Sequence, residues 1–208
     1  MPVIYQHETD SSVSVCVWHI TETEESLLQG LILDEADAQH IASQKLPKRR
    51  LEKLACRQAL AHLLQTEKVS IQYTPSGQPR LESGHISFSH SDHYAAVAYS
   101  PTLRVGIDIE TIGSRILALH KYFLTAEETD LHDISNSLTL HQLWGAKEAL
   151  YKLSGDEKLD FHNDILIKDK EIRCGRIGGK QPLDAHLEHF TIEKQLIVLA
   201  VEETESVG

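Results

Sequence analysis

Two acidic residues stand on alternate positions of a segment that is otherwise typical of a buried strand. The segment is "GIDIE" at 106–110, and its acids are Asp108 and Glu110. Alternate residues of a strand point to the same face, so both carboxylates are expected on one side. Such a face suits Mg²⁺, which takes one or two carboxylates together with phosphate oxygens and water. The alternative is a strand end that emerges into solvent, because surface acids are common.

A third carboxylate and a lysine follow at helical spacing in "WGAKEALYK" (144–152). Trp144, Glu148 and Lys152 recur at intervals of four, which places them along one face of a helix. With the two strand acids they would form a metal–phosphate site, in which Glu148 binds metal or accepts a proton and Lys152 neutralises phosphate charge. The alternative is an ordinary amphipathic helix with a Glu–Lys pair on its surface.

Two further segments could bind phosphate. The first is "SHS" at 89–91, where Ser89 and His90 fall at the predicted end of a strand; a polar turn is the alternative. The second is "KRR" at 48–50 with Arg57, at the start of a predicted helix. The helix dipole disfavours cations there, so these bases either pair with nearby acids or contact a phosphate.

Helical periodicity followed by short strands occurs in both parts of the chain. In the first part the patterns predict strands over 12–20, 69–73, 85–89 and 94–100 and helices over 24–44 and 46–65. In the second part they predict strands over 103–110, 164–169, 186–193 and 195–202, helices over 114–123 and 137–155, and a helix that a Thr-x-x-Glu capping box opens at 125–128.

This order of elements predicts an α+β protein made of two pseudo-symmetric α+β subdomains. We place the N-terminal half at 1–104 and the C-terminal half, which carries the metal site, at 105–208. No low-complexity linker separates the halves, so we expect them to pack closely and to share one site at their interface.

Composition narrows the function classes. The 208-residue chain has a formal net charge of −11, which argues against general nucleic-acid binding. It shows no apolar run long enough to span a membrane and no signal peptide, and its three cysteines form no disulfide framework. We therefore expect a cytoplasmic protein without a membrane partner. His186 and His189 resemble half of a zinc site, but no further ligands complete it.

Together these segments resemble the 4′-phosphopantetheinyl transferases of the Sfp type. That family shows a Gly-x-Pro turn, a Ser-His-Ser strand end, a Gly-Ile-Asp-x-Glu strand and a Trp-x-x-Lys-Glu-x-x-x-Lys helix. This chain has "GQP" at 77–79, "SHS" at 89–91, "GIDIE" at 106–110 and "WGAKEALYK" at 144–152, in the same order. "YFLTAEE" at 122–128 resembles the family's Phe-x-x-x-Glu segment, and the resemblance runs from about residue 47 to 169.

The resemblance implies an intramolecular pseudo-dimer, monomeric in solution, with coenzyme A in the cleft between the halves. It implies Mg²⁺ on Asp108, Glu110 and Glu148 together with the pyrophosphate of the coenzyme. The implied activity is that of a holo-[acyl-carrier-protein] synthase. It moves the 4′-phosphopantetheine arm to a serine of an apo acyl or peptidyl carrier protein and releases adenosine 3′,5′-bisphosphate.

Residue roles follow from the same resemblance. Glu148 and Lys152 would be catalytic, the first taking the serine proton and the second stabilising developing charge. The expected coenzyme contacts comprise Lys152 and the residues Lys48, Arg50, Arg57, Gln78, Pro79, Ser89 and His90, with Lys48, Arg50 or Arg57 on the 3′-phosphate. The family turn often reads Gly-Lys-Pro, so Gln78 weakens one phosphate contact or leaves it to another residue.

Two other functions use similar residues. A metal-dependent nuclease commonly has a lysine two residues after its second acid, where this chain has Ile112. A non-catalytic module that binds coenzyme A or a carrier protein would be expected to lack a metal ligand or the lysine. All of these residues are present, which favours an enzyme but leaves the module as the alternative.

Overall fold

The chain folds into two compact units in a computed structural model, which describes residues 2–179 and 182–204. The first unit ends at Leu103 and the second begins at Arg104. Both units combine helices with antiparallel sheet, so the predicted α+β class is confirmed. The pseudo-dimer, and the division into functional domains at 1–104 and 105–208, stay predictions.

The first unit is built on a four-stranded antiparallel sheet in the order β1-β2-β8-β7. Its elements are β1 (Val3–Glu8), β2 (Ser14–His19), α1 (Glu24–Leu28), β3 (Ile32–Leu33), α2 (Glu35–Ala42), α3 (Pro47–Leu64), β4 (Lys68–Val69), β5 (Gln72–Tyr73), β6 (Pro79–Arg80), β7 (His85–Ser91) and β8 (Tyr94–Ser100). Helix α3 begins at Pro47, whose fixed φ suits a first helical turn. Its buried stripe, which includes Leu54 and Leu60, packs on β2 and β8.

Two predictions for this unit are wrong in detail. The helix predicted over 24–44 is two short helices with strand β3 between them. Gly30 adopts a positive φ of 76°, which ends the first helical segment, and the Asp34 side chain caps the second by accepting from the amide of Asp37. The strand predicted over 69–73 is two separate pairs of residues, and β1 was not predicted.

The second unit is built on a five-stranded antiparallel sheet in the order β10-β11-β12-β13-β9. Its strands are β9 (Val105–Thr111), β10 (Ile165–Ile167), β11 (Cys174–Ile177), β12 (Leu183–Ile192) and β13 (Gln195–Glu202), and its α-helices are α4 (Ala126–Leu131) and α5 (Ser137–Ser154). The predicted capping box at the start of α4 is confirmed, since Thr125 and Glu128 exchange side-chain and backbone hydrogen bonds. Helix α5 packs on β9 and β13.

Helix α5 has a defined beginning and end. The Asn136 side chain accepts from the amides of Leu138 and Thr139, and Gly155 closes the helix in the left-handed conformation. The helix predicted over 114–123 is instead two short 3₁₀ segments, Ser114–Ala118 and His120–Tyr122, and strand β11 was not predicted. Among the described residues, no helix is both long and apolar enough to cross a membrane.

Candidate active site

Strand β9 places its two acids on the face covered by helix α5. Asp108 is only 4 % exposed and Glu110 is half-buried. Ile107 and Ile109, which point to the other face, are buried as well. The alternative in which both acids lie on a solvated strand end is therefore wrong for Asp108. A buried carboxylate needs a partner, and helix α5 supplies it.

Two glycines allow the helix and the sheet to approach closely. A Cβ at Gly106 of β9 would lie 1.9 Å from the carbonyl oxygen of Ala149, so only glycine fits beneath the helix backbone. A Cβ at Gly145 of α5 would lie 2.8 Å from Cγ2 of Val198 and 3.6 Å from Oδ2 of Asp108. Gly106 therefore allows the backbone of α5 to pack directly against β9.

Close packing brings Lys152 onto Asp108. The Lys152 ammonium donates to Oδ1 of Asp108 at 2.7 Å and to the carbonyl oxygen of Ile107 at 3.0 Å. The Lys152 side chain remains 27 % exposed, whereas that of Asp108 is 5 % exposed. The lysine is thus held in place by a buried carboxylate while part of it stays accessible to solvent.

Glu110 lies two residues after Asp108 on β9 and contacts the same face of helix α5 through Trp144. The indole Nε1–H of Trp144 donates to Oε1 of Glu110 at 3.3 Å. The indole ring packs edge-on against Phe123, with 5.2 Å between centroids, and lies 5.4 Å from the ring of Phe161. These aromatic contacts hold Trp144 in position, so the carboxylate of Glu110 is anchored to α5 as well.

Burial and mutual repulsion raise the pKa values of two of the acids, Glu110 and Glu148. Burial raises the pKa of Glu110 to about 7, and the charges of Asp108 and Glu148 add to this while Trp144 and Lys152 oppose it. Burial, followed by the charge of Asp108, also raises the pKa of Glu148 above its ordinary value. Three carboxylates therefore interact through one region, and two of them, Glu110 and Glu148, hold a proton more tightly than an ordinary glutamate does.

The donor set has the chemistry of a magnesium site, because carboxylates that repel one another are stabilised by a hard divalent cation. Within residues 2–179 and 182–204, however, no three His, Cys, Asp or Glu side chains converge closely enough to hold a metal. Lys152 supplies the positive charge beside Asp108 in this arrangement. Assignment of Mg²⁺ to Asp108, Glu110 and Glu148 stays a prediction.

A buried ion pair next to the site was not predicted. The Lys147 ammonium, fully buried, lies 2.8 Å from Oε2 of Glu128, which is 3 % exposed. Oε1 of Glu128 accepts from the amide of Ile167 at 2.9 Å, so this pair ties α4, α5 and β10 together. The capping box identified Glu128 as a helix-start residue, but no sequence pattern indicated that Lys147 points inward.

In the first unit, two of the predicted phosphate contacts, Lys48 and His90, lie with the neighbouring Arg49 around one buried acid. Glu52 is 3 % exposed, and Arg49 donates to it at 2.8 Å while Lys48 lies 3.9 Å away. Arg49 also donates to His90, with 3.1 Å between Nη1 and Nε2. His90 lies 3.6 Å from the same Glu52 carboxylate. Arg49 belongs to the same "KRR" run as Lys48 but was not among the predicted contacts.

The other two predicted arginines have protein partners. Arg50 donates from Nε to both oxygens of Glu24 and from Nη1 to the carbonyl oxygen of Gln44. Arg57 is 1 % exposed and donates to Asp37, to the hydroxyl of Tyr73 and to the carbonyl oxygen of Lys53. A buried guanidinium with this many acceptors has a structural role, so we do not keep Arg57 among the proposed phosphate contacts.

The remaining predicted contacts lie on strand ends. Gln78 and Pro79 belong to the β5–β6 turn, in which the Gln78 amide donates to Oγ1 of Thr74. Ser89 is buried in β7 at 7 % exposure, one residue before the exposed His90. Nothing in the described geometry assigns a ligand to these three residues.

Together, the fold and the site define an α+β protein with a carboxylate–lysine centre between a strand and a long helix of its second unit. A family model described as the 4′-phosphopantetheinyl transferase superfamily matches residues 104–201, which include the whole of that centre. This match supports membership of the 4′-phosphopantetheinyl transferase superfamily through the second unit. A search of curated proteins finds no match.

The match also indicates a general reaction and general partners. Transfer of phosphopantetheine is the reaction class of that superfamily, and the match supports transferase activity of that class. A carrier protein and coenzyme A are the partners that the superfamily implies.

Proposed function

We propose that this protein transfers the 4′-phosphopantetheine arm of coenzyme A to a serine of an apo acyl or peptidyl carrier protein. The reaction requires Mg²⁺ and releases adenosine 3′,5′-bisphosphate. The observation that carries this proposal is the contact between the "GIDIE" strand and the "WGAKEALYK" helix, made by Asp108 and Lys152 inside the matched region. The Sfp subtype rests on the resemblance in the sequence.

The reaction needs positioning and charge neutralisation more than covalent help from the protein. The serine oxygen attacks the β-phosphorus of the coenzyme, the bond to the bridging oxygen breaks, and the serine proton passes to a base. Asp108, Glu110 and Glu148 would hold Mg²⁺. When bound, the ion supplies Lewis-acid stabilisation of the phosphate charge.

Glu148 is the residue we assign as the base. A carboxylate whose pKa is raised accepts a proton more readily near neutral pH than an ordinary glutamate does. Burial and the neighbouring charge of Asp108 raise the pKa of Glu148 in this way. The serine proton is thus transferred either to this carboxylate directly or to it through a water molecule.

Lys152 stabilises the charge that develops on the phosphate oxygens. Its ammonium is fixed by Asp108 and by the carbonyl oxygen of Ile107, yet about a quarter of the side chain remains exposed at 27 %. A cation that is already held in place loses little conformational freedom when the substrate arrives. Fixed placement of this kind favours catalysis over simple binding.

In the first unit, Lys48, Arg49 and His90 are our candidates for coenzyme phosphate contacts. Two cations share the single carboxylate of Glu52, so the cluster carries excess positive charge in a strongly acidic chain. The side chains of Lys48 and Arg49 are 60 % and 51 % exposed, which leaves their remaining donors available. Phosphate binds to such clusters through charge-assisted hydrogen bonds.

The test is mass spectrometry of a purified apo acyl carrier protein after incubation with this protein, coenzyme A and Mg²⁺. We expect the carrier to gain the mass of one phosphopantetheine arm, and a parallel sample with chelator to gain nothing. Arm transfer that is equally fast in chelator contradicts the metal assignment. No transfer to carriers from fatty acid, polyketide and peptide synthesis contradicts the proposed reaction.

A non-catalytic module that binds coenzyme A is the second candidate. One observation favours it: among the described residues, no three His, Cys, Asp or Glu side chains converge on a metal position. The ammonium of Lys152 contacts Asp108 instead. Calorimetric titration with coenzyme A distinguishes the two. Binding without transfer supports the module, and binding with Mg²⁺-dependent transfer supports the enzyme.

A further inference from the structure

A cluster of basic and aromatic side chains lies in the first unit beside the buried Arg57. It is centred on Lys53 of α3 and His40 of α2, whose Nζ and Nε2 atoms are 2.9 Å apart. The imidazole of His40 stacks on the ring of Tyr73, with 4.1 Å between centroids. The Tyr73 hydroxyl in turn accepts from Arg57. Stacking fixes the plane of the imidazole, so its nitrogen is held towards the lysine.

The Lys53 amine lies between two arginines, Arg49 and Arg57, each of which is paired with its own carboxylate, Glu52 and Asp37 respectively. Arg49 and Arg57 stand one helical turn before it and after it on α3. Asp37 is the acid of this cluster, and its two carboxylate oxygens accept from Nε and Nη2 of Arg57. In the part of the chain that the structure describes, Lys53 forms no ion pair with a carboxylate. Its hydrogen-bond partner is a neutral base instead.

These surroundings shift both groups towards their unprotonated forms, relative to an ordinary lysine and an ordinary histidine. Burial, followed by the charges of Arg57 and Arg49, lowers the pKa of Lys53, while Cys56 and Asp37 oppose the shift. Burial and the charges of Lys53 and Arg57 lower the pKa of His40. A neutral amine is the nucleophilic form of lysine, and a neutral imidazole is the form that accepts a proton.

We propose that Lys53 is a reactive amine that takes an acyl group from acyl thioesters, with His40 as its base. The lone pair of the Lys53 nitrogen attacks the thioester carbonyl, and the carbon–sulfur bond breaks. The thiol leaves as a thiolate, and the proton lost by the attacking nitrogen passes to Nε2 of His40 and then to the thiolate or solvent. The products are an amide at Lys53 and a free thiol, so no oxidant or further reactant is needed.

Access and geometry agree with this chemistry. Lys53 is half-buried, so its amine is reachable while still partly removed from water. The neutral amine donates one N–H to His40 and keeps its lone pair for attack. The inference does not rest on the proposed transferase reaction, because a thioester that lacks the nucleotide of coenzyme A is an adequate reagent.

The test is peptide mass spectrometry after incubation of the full chain with the acetyl thioester of N-acetylcysteamine. Lys45, an exposed lysine of the same unit, is the internal control. We expect acetylation of Lys53 to be at least about threefold faster than that of Lys45 near pH 8. Equal or slower acetylation of Lys53 overturns the proposal, whether or not the protein transfers phosphopantetheine.

The pH dependence separates chemical reactivity from simple exposure. The advantage of Lys53 over Lys45 should shrink as the pH rises from about 8 to about 11, because a lowered lysine pKa gives no benefit above the ordinary lysine pKa of about 10.4. A ratio that does not change with pH overturns the proposal, since exposure alone would give it. This measurement uses only the natural chain and therefore does not depend on the folding of a variant.

Two variants test the base. His40→Gln should slow acetylation of Lys53 at least about threefold while Lys45 is unaffected, because the proton acceptor is lost. His85→Gln, which changes an exposed histidine in β7, is the matched control and should leave the rate unchanged. An unchanged rate in folded His40→Gln overturns the role of His40.

Discussion

Lys152 connects the strand and the helix of the candidate site through its two hydrogen bonds to β9. Under the proposed function its charge acts on the phosphate as the bond breaks. We therefore expect Lys152→Gln to lower the transfer rate by about 10² or more, as for other preorganised donors at developing charge. The rate of holo-carrier formation, measured by mass spectrometry, gives the result.

The control for this variant is Lys158→Gln, which changes an exposed lysine just after the same helix. It should transfer at the natural rate. Both proteins need a thermal unfolding curve, because removal of Lys152 also leaves the buried Asp108 without its counter-charge. Full activity in folded Lys152→Gln contradicts the assigned role.

Glu110 gives a pH prediction whose sign follows from its burial. Its pKa is raised to about 7 in the folded chain, so the folded state holds the proton more tightly than the unfolded state does. Stability from this group is fully present below the ordinary glutamate pKa and is lost as the pH rises towards about 7. Glu110→Gln cannot ionise and avoids this loss.

The measurement is the melting temperature of both proteins in chelator between pH 4.5 and 8. We expect the variant to gain on the natural protein as the pH rises through that window and to keep the gain above it. A difference that stays constant with pH means that Glu110 has an ordinary pKa in the folded chain.

At the scale of elements, the packing of α5 on β9 depends on Gly106. Any Cβ there meets the carbonyl oxygen of Ala149 at 1.9 Å, and backbone atoms of a helix cannot move aside as a flexible side chain can. We expect Gly106→Ala to lower the free energy of unfolding by about 1–3 kcal/mol or more, as overpacked cores do. Urea denaturation gives the value.

Gly113→Ala is the matched control for Gly106→Ala. No atom lies within 4 Å of a Cβ at Gly113, and its φ of −159° is ordinary extended backbone. Its stability should stay within about 0.5 kcal/mol of the natural protein. If the two alanine variants unfold alike, α5 does not approach β9 as closely as described.

The ion pair of Lys147 and Glu128 joins α5 to α4 and β10. Because both side chains are buried, removal of one partner leaves an uncompensated charge, which costs about 3–5 kcal/mol. We expect Lys147→Met to be destabilised by that amount. Replacing both partners, as in Glu128→Leu with Lys147→Met, should recover part of the loss.

A double-mutant cycle in denaturant measures the coupling between the two residues. Additive losses would show that the pair does not act as a unit. The amide of Ile167 loses its acceptor when Glu128 is replaced, so the double variant is not expected to reach the natural stability.

At the scale of the whole molecule, we expect the chain to be monomeric. Sedimentation equilibrium should give the mass of one chain, 23.4 kDa, at micromolar concentration. The net charge of −11 also favours the monomer, since like-charged copies repel one another. A mass of twice this value contradicts the expectation and requires the site to be considered in a dimer.

The class of the fold and the motif-bearing elements were predictable because they depend on local patterns. Periodicity identified α3 and α5, and the Thr125–Glu128 capping box identified the start of α4. The single helix predicted over 24–44 was wrong because Gly30 and Asp34 interrupt it. The two residues are weak signals in a segment whose composition is otherwise helical. Short strands such as β11 have too few residues for alternation to be recognised.

Residue spacing was enough to select candidate site residues, but it did not predict which of them contact one another. Spacing placed Asp108 and Glu110 on one face of a strand, and it placed Glu148 and Lys152 on one face of a helix. These faces follow directly from the residue repeat of a strand and of a helix. Spacing also placed Arg57 among the phosphate contacts, although the side chain is buried against Asp37. Whether a cation pairs inside the protein depends on residues distant in the chain, which periodicity does not reveal.

Sequence alone therefore determined the α+β class, the acidic character and the set of residues that we propose for phosphate and metal, since composition and spacing are local properties. Tertiary structure decided which charges meet. It paired Lys152 with Asp108, buried Lys147 on Glu128 and set Lys53 beside His40. Burial and neighbouring charge then set the ionisation of these groups, and both arise only when distant segments pack together.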